Sequence, residues 1–386
     1  MPRLKVVHAA KFYPPVRGGM ETVVGDLCDG TSADWDVRVV AANDTRKTVR
    51  ERCGDVDVVR AGVIGTINSV PLCPSFPFYL WREPADCVVL HEPNPIAGTS
   101  VFLRSPAPRL IVWHHADLLR PWWAPYTYGR IQRALYRRAD CVIVSSPALA
   151  ADSRLVAQAK RVVVIPFGIP LERYRQADAA RVALVAKIRS SMPGPRVLFV
   201  GRFVYYKGVS VLINAMAGCP GTLMLVGEGP LEHDLRRRVA ERGLQDRVRF
   251  VGRVSDEDLP AYYQASDLFV LPSIAKTEAF GVVQVEAMAA GVPVISTNLA
   301  TGVPWVNQDG VSGLIVPPDD SDALAHAMAA LLGDPDRRAA LGRGASERAD
   351  RLFSRQQMVD RFRDVVETAV RAPAELDARL AGAALS

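Results

Sequence analysis

The chain has six cysteines and no C-x-x-C pair among them. Scattered as Cys28, Cys53, Cys73, Cys87, Cys141 and Cys219, they lack zinc-ribbon and thioredoxin-type spacings and read as reduced thiols. No run approaches the roughly 20 apolar residues that a membrane-spanning helix needs. The opening residues, MPRLKVVHAAKFYPP, hold an apolar run too short for a signal peptide and meet prolines at once. The expectation is a protein made and kept in the cytoplasm. A dinucleotide fingerprint is also missing. GGMETV stands after the first apolar run, which fails the G-x-G-x-x-G spacing and argues against an NAD-dependent dehydrogenase. No lysine motif for pyridoxal phosphate supports a phosphorylase, and no cofactor is expected. Charge imbalance is small, +6 over 386 residues, so nucleic acid is not expected as a partner. A basic enzyme for phosphorylated substrates, or one that sits on anionic lipid, fits that charge.

What is present is ordinary for a globular protein: 49% hydrophobic and 23% charged residues. At roughly 100–200 residues per domain, two domains is the natural expectation. Short apolar runs alternate with longer helical patterns: LKVVHA (4–9), DVRVVAA (36–42), DVDVVRA (55–61), DCVVLHE (86–92), RLIVWHH (109–115), DCVIVSS (140–146) and RVVVIPFG (161–168). β-branched runs of this kind, separated by helices, indicate a parallel sheet covered on both faces. The stretch 168–195 changes character, ends in Pro193-Gly194-Pro195 and reads as a crossover and linker. The alternation then restarts with RVLFVGR (196–202), GTLMLVGEG (221–229), RVRFVGR (247–253), DLFVLPS (267–273), VPVISTN (292–298) and SGLIVPP (312–318). This is a second doubly wound sheet, with no sequence repeat relating it to the first. An amphipathic segment, SRQQMVDRFRDVVETAVR (354–371), follows, and the Ala-rich tail 372–386 reads as frayed. The expected division is 1–172, 173–353 and 354–386.

Ligands of open α/β sheets bind outside the carboxyl ends of the strands. After the first strand, Gly18 and Gly19 precede a helix whose N-terminus offers free N–H groups to a phosphate or sugar, or simply make a tight turn. After strand 196–200 the loop GRFVYYKGV carries Arg202 and Lys207. Two cations beside a helix start suit a diphosphate. The loops GEGP, with Gly227, and GRVSDEDL face the same level. The next strand is followed by EAFGVVQVEAMAAGVPVISTN, in which Glu278 and Glu286 stand eight apart. Glu278 falls in a loop and Glu286 about one turn into a helix that starts near Val282. A carboxylate among apolar residues needs a partner. Two of them flanking a diphosphate site point to hydroxyls at both ends of one ligand, which describes a nucleotide-sugar.

GRFVYYKG, VGEGP and EAFGVVQVEAMAAGVPVIST, in that order, resemble the retaining GT-B glycosyltransferases of family 4, which include bacterial mannosyltransferases. KFYPPVRGGMET and TGVPWVNQDGVSGLIVPPDD resemble the same family, so the likeness spans about the whole chain. The resemblance implies an α/β GT-B fold: two facing Rossmann-like domains, a cleft between them and a C-terminal helix crossing back to the N-terminal domain. It implies a hexose, mannose from GDP-mannose being the reading preferred over a UDP-sugar, moved to a lipid-linked or saccharide acceptor in cell-envelope synthesis. It further implies that Glu286 binds the donor ribose and that Glu278 holds the transferred sugar beside the backbone of Phe280, Gly281 and Val282. Arg202 and Lys207 take the diphosphate without a metal, and Arg253 and Val254 lie near the base. In WHHAD the family's histidine matches His115 rather than His114. The alternatives are a GT-B sugar-nucleotide epimerase and a non-catalytic sugar-nucleotide-binding homologue.

The segment 118–140 combines Trp122, Trp123, Tyr126 and Tyr128 with Arg130, Arg133 and Arg137 on one helical face. Basic and aromatic residues together read as an acceptor-docking or interfacial membrane face, and equally as a solvated face over buried tryptophans.

Overall fold

The computed structural model describes residues 2–16, 18–67, 70–117 and 124–382, excepting the side chains of 124–127 and 380–382. The chain divides into two compact units, Met1–Gly168 with Arg355–Ser386, and Ile169–Ser354.

The first unit is built on a sheet of eight strands. They are β1 (Lys5–Ala9), β2 (Asp36–Ala42), β3 (Val49–Cys53), β4 (Val56–Ala61), β7 (Cys87–Glu92), β8 (Arg109–His114), β9 (Cys141–Val144) and β10 (Val162–Val164). A separate hairpin comprises β5 (Gly65–Ile67) and β6 (Val70–Leu72). The order is β10-β9-β8-β7-β1-β2-β4-β3, and only β3 runs antiparallel to its neighbour. Central strands such as β7 are buried at every position, so they read in the sequence as continuous apolar runs. β3 (VRERC) is an edge strand with almost every residue exposed. It carries no apolar pattern, and the sequence reading missed it together with the short hairpin.

The helix Arg355–Arg371 belongs to this unit. It buries Met358, Phe362, Val365 and Val366 and packs on the helix Gly19–Thr31. A side chain at Gly30 would stand 2.7 Å from the Val359 methyls, so glycine sets the closeness of that packing. Arg355 pairs with Asp26 at 2.7 Å, and Trp35 Nε1 donates to Glu367 at 3.3 Å. The tail is more ordered than its composition implies. Pro373–Glu375 makes one tight turn and Leu376–Gly382 a helix, anchored by buried Leu376 and by the pairing of Arg161 with Asp377.

The second unit holds six parallel strands: β11 (Arg196–Val200), β12 (Thr222–Val226), β13 (Val248–Gly252), β14 (Leu268–Leu271), β15 (Val294–Thr297) and β16 (Gly313–Val316). Their order is β13-β12-β11-β14-β15-β16. This is the doubly wound arrangement, and its order reverses between β11 and β14. Residues 168–195 are not a linker. They form the helices Glu172–Arg175 and Ala179–Ser191 inside this unit. Asp178 caps the longer one by accepting from Arg181 N at 2.8 Å. That helix packs on the helix Leu259–Ala265, with Arg189 donating to the Gln264 carbonyl at 2.8 Å.

Candidate active site

The point where the strand order reverses is crowded by two loops. The loop after β11 runs through Arg202 to a single turn at Tyr205–Lys207, then to Gly208 and the helix Val209–Ala215. Gly208 has φ 63° and a virtual Cβ 2.0 Å from the Pro272 carbonyl. No side chain fits there, so the two loops touch. Ile274 N donates to the Tyr206 carbonyl at 2.8 Å and ties them. The contact places Lys207 Nζ 2.5 Å from Glu278 Oε2, which also accepts from Ser273 Oγ at 3.0 Å. Lys207 and Glu278, which the resemblance assigns to opposite parts of a ligand, are therefore bonded to each other. Lys207 retains two further N–H donors, and Glu278 Oε1 has no partner among the described residues. Arg202 is exposed, with no side-chain partner among the described residues.

Beyond Glu278 the chain enters the helix Val282–Ala289 through Gly281, at φ 70°. A Cβ there would lie 2.6 Å from Leu271, so glycine is required by packing. The first amides of this helix have no intrahelical acceptor, which leaves those of Val282 and its neighbours open to an anion. The Phe280 ring is buried against Trp305 and Phe353, and its carbonyl accepts from Gln284 Nε2 at 3.0 Å. Glu286 lies one turn into the helix, half-buried, and accepts from Tyr263 Oη at 2.6 Å and from Tyr174. Burial pushes its carboxyl above the usual range, and the two tyrosine hydrogen bonds oppose that. The rings of Tyr174 and Tyr263 meet edge to face, with centroids 5.7 Å apart.

The glycine loops serve the scaffold first. A Cβ at Gly227 would sit 2.1 Å from the Gly201 carbonyl, and Phe203 N donates to Glu228 O at 2.9 Å. Close approach at Gly227 is thus between loops. Arg253 is exposed and 3.5 Å from Glu228, and Val254 beside it is half-buried. Asp256 and Asp258 have the D-x-D spacing typical of metal-holding pairs, but the Asp258 carboxylate accepts from Ser255 Oγ at 2.9 Å. Among the described residues no group of three or more His, Cys, Asp or Glu is placed to hold a metal ion.

In the first unit, Gly18 and Gly19 start the helix Gly19–Thr31, as read from the sequence. Buried Glu21 sits in its first turn, and a Cβ at Gly18 would meet the Glu21 carboxylate at 2.1 Å. A carboxylate of this protein therefore already lies at that helix start. His114 and His115 point to opposite faces of the sheet. His114 Nδ1 bonds Tyr136 Oη at 2.6 Å and its Nε2 lies 3.5 Å from Asp117. His115 Nε2 bonds His91 Nδ1 at 3.0 Å, while its Nδ1 is buried with no partner. Burial pushes His114 down to about 4 and His115 to about 3. A third group at the same sheet edge is Glu92, held by Tyr128 at 2.5 Å and Gln132 at 2.8 Å, its carboxyl raised by burial to about 7. Arg130, Arg133 and Arg137 lie on the exposed side of the helix Ala124–Arg138, and Arg137 is bound to Gln158 at 2.7 Å. Trp122 and Trp123 lie outside the described residues, as does the Tyr126 side chain.

Two family models cover most of the chain: "Glycosyl transferase 4-like domain" over residues 18–168 and "Glycosyl transferases group 1" over 183–348. The O-antigen chain mannosyltransferase C of Escherichia coli is 31% identical over 95% of this chain and 98% of that relative. The chain belongs to the group 1 glycosyl transferases. The D-rhamnosyltransferase WbpZ of Pseudomonas aeruginosa is 32% identical over 91% of the chain and 92% of its own length. Among solved structures, a sucrose-phosphate synthase from Thermosynechococcus elongatus superimposes with a TM-score of 0.78 at 26% identity, covering 95% of this chain and 99% of that one. The fold is GT-B, and the protein is a glycosyltransferase.

For a group 1 glycosyl transferase, three side chains at this site escaped the sequence reading. Tyr174 lies in the segment taken for a linker. Tyr263 shows only as an inward position of a short helix. Ser273 reads as a strand-ending residue. The helical period of LPAYYQA is the one signal that singles out Tyr263.

Proposed function

We propose that the protein is a retaining, metal-independent hexosyltransferase that moves mannose from GDP-mannose to a lipid-linked or saccharide acceptor in cell-envelope polysaccharide or glycolipid synthesis. The observation that carries this reading is the grouping of Arg202, Lys207, Glu278 and Glu286 beyond the ends of β11 and β14. Cations there suit a diphosphate, and carboxylates suit hydroxyls on either side of it. The choice of sugar follows the two relatives, whose names state mannosyl and rhamnosyl transfer. Placement at the inner face of the cytoplasmic membrane belongs to the same reading, through Arg130, Arg133 and Arg137.

In this account Glu286 takes the ribose hydroxyls, with Tyr174 and Tyr263 fixing its carboxylate. Arg253 and Val254 lie near the base. Lys207, oriented by Glu278, gives its remaining N–H donors to the diphosphate, joined by Arg202 and the amides at Gly281 and Val282. Glu278 Oε1 and His115 act on the transferred sugar. The anomeric carbon–oxygen bond to phosphate breaks while the acceptor oxygen bonds the same carbon on the same face. The leaving phosphate takes the acceptor proton, so no side chain becomes covalently attached. Charge builds on the phosphate as this proceeds, and preorganised donors aimed at it are the main source of rate.

A thermal-shift screen of GDP-, UDP-, ADP- and dTDP-sugars, followed by transfer with and without EDTA, tests the reading. GDP-mannose should raise the unfolding midpoint most, since a ligand that binds the folded state stabilises it, and EDTA should leave transfer unchanged. A larger shift with another donor, or transfer abolished by EDTA and restored by manganese, contradicts it.

A further inference from the structure

His115 is the end of a chain of three imidazoles. His8 on β1, His91 on β7 and His115 just past β8 sit on the same face of three adjacent strands. His8 Nδ1 lies 3.0 Å from His91 Nε2, and His91 Nδ1 lies 3.0 Å from His115 Nε2. The rings stack with centroids 5.3 Å apart at both steps. Trp113 and Phe167 stack on His115 from the same unit, and Phe362 leans on His8. All three histidines are buried. Two ring nitrogens are left without a partner: His8 Nε2 at one end and His115 Nδ1 at the other.

Three neutral imidazoles carry three ring protons, and each of the two contacts needs one donor and one acceptor. Only two arrangements satisfy both contacts. In the first, His115 donates from Nε2 to His91, His91 donates from Nε2 to His8, and the remaining proton sits on His8 Nε2. In the second, every ring is protonated on Nδ1, the bonds run from His8 to His91 to His115, and the remaining proton sits on His115 Nδ1. Burial holds the rings neutral in both, pushing His8 and His115 down to about 3 and His91 well below its usual range. The arrangements differ in where an unpaired N–H is left. An orphaned buried N–H is rarer and costlier than an underused acceptor. Once a ligand oxygen reaches His115 Nδ1, the second arrangement leaves only a bare nitrogen on His8, whereas the first leaves a stranded N–H there.

We propose that His91 and His8 are positioning residues that fix His115 as the Nδ1–H tautomer, so that it presents an N–H donor to a hydroxyl oxygen of the transferred sugar. The proposal rests on the assignment of His115 to the sugar under the proposed function. His91 sets the tautomer directly by filling His115 Nε2 with a donated proton. His8 fixes the direction of His91.

The direct test is a long-range proton–nitrogen correlation spectrum of the chain labelled with nitrogen-15 histidine, taken without ligand and with GDP-mannose. His115, His91 and His8 should each show a protonated Nδ1 and a bare Nε2 with GDP-mannose bound. In His91→Phe the His115 signals should move toward the Nε2–H form or a mixture. Transfer from GDP-mannose by His91→Phe should lose about tenfold or more in kcat, one hydrogen bond's worth, while GDP affinity stays unchanged. His91→Asn, whose amide stands where Nδ1 was and can donate to His115, should recover most of that loss. A His115 protonated on Nε2 in the GDP-mannose complex overturns the proposal. So does a His91→Phe protein with an unchanged His115 tautomer or full kcat. A His115→Ala protein that transfers at full rate overturns the assignment of His115 to the sugar, and with it the purpose of the chain, even where the spectra show the expected protons.

Discussion

Lys207 Nζ lies 2.5 Å from Glu278 Oε2, and the pair joins the loops after β11 and β14, the two strands at which the sheet order reverses. The side chains are 12% and 10% exposed, so neither charge is well solvated. Removing one partner of such a pair strands the other. Lys207→Met should destabilise the second unit by about 3 kcal/mol, the lower end for broken buried pairs. The double change Lys207→Met, Glu278→Gln should cost less than the two single changes together. Denaturant titration of the four proteins measures this coupling. Simple additivity would mean that the two groups do not act as a pair.

Glu286 should govern nucleotide affinity. Its carboxylate is the acceptor that two buried tyrosines hold in place. Charge-assisted hydrogen bonds contribute roughly 1.5–3 kcal/mol, so Glu286→Ala should weaken GDP binding about tenfold or more. Tyr263→Phe should weaken it less, by loosening the carboxylate without removing it. Calorimetry with GDP is the measurement. Unchanged affinity in Glu286→Ala would place that residue outside the site.

Four buried histidines make the first unit sensitive to acid. Burial lowers His8 and His115 to about 3, His114 to about 4 and His91 well below its usual range. In the unfolded chain all four gain protons near pH 6.5. The unfolded state therefore binds more protons below that pH, and the stability these groups contribute is complete above it and is lost as pH falls. Glu92 works in the opposite direction. Raised to about 7 in the fold, it keeps its proton where the unfolded chain has lost it, so its contribution falls as pH rises from 4.5 toward 7. Asp26, raised by burial to about 6, works the same way as Glu92. With four histidines against these two carboxyls, the midpoint of the first unit should drop between about pH 7 and about pH 5. In Glu92→Gln the drop should be steeper. A midpoint that rises on acidification would contradict the buried, neutral state of the histidines.

The face carrying Arg130, Arg133 and Arg137 should bind anionic vesicles weakly. Basic residues near such a surface contribute about 1 kcal/mol each and are screened by salt. Changing all three to alanine should abolish co-sedimentation at low salt, and high salt should do the same to the unchanged protein. Binding indifferent to both would remove this face from consideration. Among the described residues no helix is long and apolar enough to cross a membrane.

The sequence exposes what is buried on both sides and hides what depends on contacts between distant segments. The inner strands of the second unit are apolar runs, because a parallel sheet covered by helices offers no polar face, while the edge strand β13 carries exposed Arg249. β3, β5 and β6 are exposed or very short and leave no such trace. Glu278 and Lys207 stood out as candidates from their places after strands, but the bond between them was not legible. It depends on Gly208 letting two loops touch, and a glycine in a loop says nothing about what it approaches. Tyr174 and Tyr263 were missed for a similar reason. Each lies far along the chain from Glu286, and only the packing of three short helices brings them to its carboxylate. The choice between His114 and His115 came from resemblance. In the structure each ring has one bonded nitrogen, His114 to Tyr136 and His115 to His91, and one buried nitrogen without a hydrogen bond, so this geometry alone does not separate them.

The central claim is transfer with retention from a nucleotide-sugar whose own phosphate takes the acceptor proton. The most direct test is the anomeric configuration of the first product formed from GDP-α-mannose, read from the one-bond carbon–proton coupling at its anomeric centre. An α-mannoside is the result the account predicts. A β-mannoside would require attack from the opposite face and a side chain acting as base, and it would contradict the proposed roles of Lys207, Glu278 and His115.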